Sequence, residues 1–70
     1  MIASVQISIE QPEEMLGILR LESVTCYDAS GNIIGDIPDL INNDEFHSER
    51  AVIRFVAKQL NVSEDIIEVV

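Results

Sequence analysis

Residues 3–10 alternate without a break: Ala3, Val5, Ile7 and Ile9 are apolar, and Ser4, Gln6, Ser8 and Glu10 are polar. A period of two sorts these residues onto opposite faces of an extended chain. A helix would scatter the same four apolar residues around its axis. The pattern predicts a strand over 2–10, buried on one face and wet on the other. The rest of the chain must extend that strand into a sheet and cover its apolar face.

Gln11-Pro12-Glu13-Glu14 ends the strand. Pro12 suits the first position of a helical turn, and two glutamates suit its positive end. A short turn over 12–16, closed by Gly17, is expected. In residues 18–28, Leu19 and Leu21 are out of phase with Val24 and Cys26. A bulge near Glu22-Ser23 would bring all four to one side. Asp28-Ala29-Ser30-Gly31 then reads as a tight turn, with Asp28 bonding back to the chain and Gly31 supplying positive φ. Residues 32–37 return as a third strand, weakened by Gly35 and stopped at Pro38. Residues 18–37 therefore form a hairpin.

The one long helix is expected over 43–60, capped by Asn43 or Asp44, with Lys58 near its end and Asn61 as the left-handed exit. At 100° per residue, Phe46, Ile53, Val56, Ala57 and Leu60 share an arc that Val52 widens. Ile7, Leu21, Ile53, Val56 and Leu60 should meet in one core layer. Phe55 points about 180° from Phe46, so either the core wraps further round or Phe55 stands exposed. The tail suits a last strand at 66–70, rich in β-branched residues. Its rival is a capped helical turn starting at Ser63.

The order β-β-β-α-β defines a small single α+β domain over 1–70. Its mostly antiparallel sheet has strand order 3-2-1-4 and one helix packed on one face. Seventy residues leave room for one domain. An apolar share of 47% suits a folded chain and excludes a disordered acidic tail. No apolar run is long enough for a membrane span. The single cysteine excludes a disulfide framework and a cysteine zinc site. The first ten residues lack the basic leader and long apolar core of a signal peptide, which makes the cytoplasm the expected compartment.

The net charge is −9. It argues against direct nucleic-acid binding and anionic membranes, and it favours a basic partner. The charge is unevenly spread. Residues 43–60 hold three acids and three bases, while the rest of the chain is acidic. Arg50, Arg54 and Lys58 recur at i, i+4 and i+8, with His47 three residues before Arg50 and Phe55 near one border. This stripe is the expected partner-binding surface: His47, Arg50, Arg54, Phe55 and Lys58. The bland reading is a solvated face that nearby acids neutralise.

No catalytic, cofactor or metal site is expected. Cys26 should face the core, away from the only histidine, so a thiolate pair has no basis. Adjacent Glu13 and Glu14 fit a helix start better than acid–base work. Asp28, Ser30, Asn32, Asp36 and Asp39 echo calcium-loop spacing. However, Ile33 stands where that loop turns on glycine, and Asp39 where it takes a bidentate glutamate. Gly31 and Gly35 match no phosphate-loop pattern.

Elimination leaves a small acidic protein-binding module without catalytic activity: an accessory subunit, adaptor or inhibitor. Its partner is another protein, basic by overall charge complementarity, or a second copy in a homodimer. The alternative is an acidic inhibitor of the kind phage and other mobile elements encode, mimicking nucleic acid to block a nucleic-acid-binding protein. That reading calls for a continuous track of carboxylates.

Overall fold

The alternating segment forms strand β1, Ser4–Glu10, in a computed structural model that describes residues 2–14, 16–36 and 45–70. Turns at Glu13-Glu14 and Leu16-Gly17 lead out of it. Gly17 has φ +83°. Strand β2, Arg20–Tyr27, returns antiparallel to β1. Ser8 pairs with Ser23 and Ile9 with Leu21, so Glu22 is one residue too many on β2. This is the expected bulge. It rephases the strand so that Leu21, Val24 and Cys26 are all buried.

Strand β3, Ile33–Asp36, pairs antiparallel with β2 across the expected hairpin. Asp28 organises the turn. Its Oδ1 accepts from the Ser30 N–H at 2.9 Å and from the Asn32 N–H at 3.0 Å. The Gly31 N–H donates to the Asp28 carbonyl at 3.0 Å. Gly31 has φ +83°, as the turn requires. A second bulge follows: Tyr27 pairs with Ile33 and Cys26 with Gly35, leaving Ile34 between them. The expected stop at Pro38 lies outside the described residues.

Helix α1, Glu49–Leu60, begins six residues later than the sequence suggests. Asn43 and Asp44, its expected caps, lie outside the described residues. The N-cap is Ser48, whose Oγ accepts the Ala51 N–H at 3.1 Å. Phe46 belongs to no helix. It forms an isolated antiparallel bridge with Leu19, each donating its N–H to the other's carbonyl, at 2.7 and 2.8 Å. The expected exit is met: Asn61 has φ 56° and ends the helix.

Both readings of the tail hold in succession. Ser63 caps a single 3-10 turn, Glu64–Ile66, its Oγ accepting from the Asp65 N–H at 3.2 Å. Strand β4, Ile67–Val69, follows directly. It lies parallel to β1, pairing Ile67 with Val5 and Val69 with Ile7. The four-stranded sheet has the order β3-β2-β1-β4, as the sequence predicts.

The core is one layer between the sheet and α1. The strands contribute Val5, Ile7, Leu21, Val24, Cys26 and Ile67, and the helix contributes Val52, Val56 and Ala57. Val52, expected at the margin of the helical arc, is fully buried. Ile53 and Leu60, expected inside with Ile7, Leu21 and Val56, are half-buried and pack on the rim. The cause is Phe46. Once it leaves the helix, the apolar arc recentres on Val52 and Val56. Among the described residues, no helix is long and apolar enough to cross a membrane.

The two hairpin glycines separate conformation from space. A Cβ at Gly31 or at Gly35 meets nothing within 4 Å, yet only Gly31 has positive φ. Gly31→Val should cost about 1 kcal/mol or more in chemical denaturation. Gly35→Val should cost less, because it trades a strand glycine for a β-branched residue in open space. Equal losses at the two positions would refute a conformational role for Gly31.

Candidate functional site

Arg50, Arg54 and Lys58 are all exposed on α1. At 100° per residue, Arg54 lies about 160° from Val56 and about 200° from Val52. Arg54 therefore lies opposite Val52 and Val56, with Arg50 and Lys58 about 40° to either side of it. Successive members rise by about 6 Å, so the row spans about 12 Å. None of the three forms an ion pair with another described residue.

The late helix start sharpens this face. As folded, α1 holds a single acid, Glu49, against three bases. Glu45, counted as helical on sequence grounds, is not part of it. Outside α1 the chain has twelve acids and one base, Arg20. The helix face is the basic surface of an acidic molecule.

Two expected members of the site are placed differently. His47 is exposed, but it precedes the cap and does not share the helical screw of Arg50. Ser48 is extended, with φ −158° and ψ 157°, so i to i+3 spacing carries no neighbourhood across it. Phe55 is half-buried and packs against the core. Its ring lies 5.3 Å from that of Phe46, tilted by 55°. The core does wrap further round, and the Phe46 bridge to Leu19 lets it do so. The stripe that stands clear of the core is Arg50, Arg54 and Lys58.

Six of the nine exposed carboxylates among the described residues lie at the two ends of the sheet, while Glu45 and Glu49 lie at the entry of α1 and Glu68 on β4. Glu10, Glu13, Glu14 and Glu22 gather where β1 ends and β2 begins. Glu64 and Asp65 precede β4 at the opposite end. The length of β1, roughly 20 Å, separates the two groups. Between them the sheet face opposite α1 carries half-buried Gln6, Thr25 and Tyr27, with Glu68 in register with Gln6. The Tyr27 hydroxyl donates to Gln6 Oε1 at 3.0 Å.

Cys26 is a buried thiol in the core layer. The Asp28 carboxylate that opened the calcium-like spacing is occupied with turn N–H groups. Among the described residues, no group of three or more His, Cys, Asp or Glu side chains could hold a metal. Sequence reasoning missed one surface. Ile33 and Ile34 are 64% and 51% exposed on the edge strand β3. Their signal is the unbroken run Ile33-Ile34-Gly35, which lacks the alternation of a strand with one buried face. No family model matches this chain, and no match is found among curated proteins or solved structures.

The Phe46–Phe55 contact ties the entry of α1 to its middle. A double-mutant cycle with Phe46→Leu and Phe55→Leu should give a coupling of about 0.5–1.5 kcal/mol. Additive losses would show that the rings contribute only their separate burial.

Proposed function

We propose that the protein is a small, acidic, non-catalytic protein-binding module, an accessory subunit, adaptor or inhibitor, that meets its partner through the outer face of α1. The observation that supports this reading is the row Arg50, Arg54 and Lys58: exposed, opposite the core, and without an ion pair among the described residues. A row of like charges on one helix face is a liability unless an acidic surface meets it. His47 lies in the bend before the cap, off the helical row. Phe55 stiffens its base through the core rather than offering a free ring. Within this reading the protein works in the cytoplasm, where a lone buried cysteine such as Cys26 remains a thiol. Mimicry of a phosphate backbone draws less support, because the exposed carboxylates are divided among the two ends of the sheet, the entry of α1 and β4 rather than set in one track.

The test compares tagged wild type with R50E/R54E as bait in cell extract, at low and high salt. Partners held by wild type at low salt should be lost from the variant and weakened for wild type at high salt. An identical set of partners on both baits would overturn the proposal.

A further inference from the structure

The reading of the α1 face as a docking surface leaves its occupant open, and the following inference rests on that reading. We propose that the occupant is a second copy of this chain: Arg50, Arg54 and Lys58 of one copy dock on Glu10, Glu13, Glu14 and Glu22 of another.

Charge complementarity carries the argument. Each copy exposes one row of three cations on α1 and, at the end of β1, four glutamates. The single base at that end is Arg20, which is half-buried. Stripe-to-stripe pairing would oppose like charges. A two-fold arrangement that sets each stripe on the other copy's glutamates satisfies both patches at once. The cation row spans about 12 Å. The glutamates it meets flank one strand end: Glu10 closes β1, Glu13 and Glu14 lie in the next turn, and Glu22 is the bulged residue of β2.

The overall charge gives this contact a recognisable salt dependence. Each copy carries −9, and its radius of gyration is 12.0 Å. With principal extents of 39 × 19 × 18 Å, docked centres lie roughly 20–40 Å apart. At 0.01 M salt the screening length is about 30 Å, and the net repulsion reaches across that distance. At 0.1 M it is about 10 Å, so the repulsion is cut while pairs in contact persist. At 1 M it is about 3 Å, and the contact pairs weaken too. Association should therefore be tightest at intermediate salt. Pairing through Ile33 and Ile34 of the β3 edges would instead strengthen steadily as salt rises.

The experiment is sedimentation equilibrium of the full chain at these three salt concentrations. It compares wild type, R50E/R54E, E13K/E14K and an equal mixture of the two variants. Circular dichroism confirms that each variant is folded, and the neutral variant R54Q/K58Q provides a milder second probe of the stripe. Wild type should associate most tightly near 0.1 M. Each charge-reversed variant alone should associate about tenfold or more weakly, and R54Q/K58Q should be weakened to a lesser degree. The mixture should recover association, because each reversed patch then faces its complement. A monomeric wild type at every salt, a steady rise with salt, or a mixture that stays monomeric would overturn the inference. If R50E/R54E self-associates like wild type yet loses foreign partners, the inference fails and the docking surface stands. If neither property changes, both fail.

Discussion

Val5 and Ile7 sit at the centre of the structure because β1 is the central strand that joins the β2–β3 hairpin to β4. It pairs antiparallel with β2 and parallel with β4, and Val5 and Ile7 are fully buried in the layer that α1 closes. Every other core contributor is positioned relative to them. Leu21, Val24 and Cys26 reach the same layer only because the ladder to β1 tolerates an extra residue at Glu22. Ile67 reaches it because the parallel register sets it beside Val5. The helix then closes the layer with Val52, Val56 and Ala57. With no tryptophan and no disulfide, this small aliphatic layer leaves little slack for a core cavity.

Much of this arrangement is legible in the residues, for reasons that are local. Alternation marks β1. The phase break between Leu21 and Val24 marks the bulge, and Asp28 to Gly31 marks the turn. The helix start is not legible in the same way. Asn43, Asp44 and Ser48 are all competent caps, and Phe46 falls in phase with the apolar arc of α1. Periodicity alone cannot tell a helical phenylalanine from one held in a bridge. What decides is the pairing of Phe46 with Leu19, twenty-seven positions away. The same tertiary contact relocates Val52 to the centre, Ile53 and Leu60 to the rim, and Phe55 into contact with Phe46. In the candidate site, the cation row was legible because it depends only on helical spacing. The places of His47 and Phe55 depend on where the helix begins.

The distribution of charge follows from the same geometry. Strand faces that pack inward exclude acids, so the carboxylates are left to turns, the bulge, the ends and outer face of strands, and the first turns of helical segments. Glu49, Glu64 and Asp65 sit in the first turns of helical segments, where unpaired N–H groups favour them. Lys58 occupies the last turn of α1, where the opposite sign is favoured. Part of the charge pattern is therefore a consequence of helix ends. The part that helix ends do not explain is Arg50 and Arg54, a cationic pair in the first half of α1.

The parallel pairing of β1 with β4 also sets the order in which the domain can assemble. The β2–β3 turn closes a loop of a few residues and can form within microseconds. The register of Val5 with Ile67 joins positions sixty-two residues apart. Closing that longer loop costs about 2 kcal/mol more in chain entropy than closing a tight hairpin, at about 0.6 kcal/mol per doubling of length. Until it closes, β1 presents an unpaired edge, and the core lacks Ile67. The three-residue strand β4 thus completes the sheet, and the early hairpin must persist until it arrives.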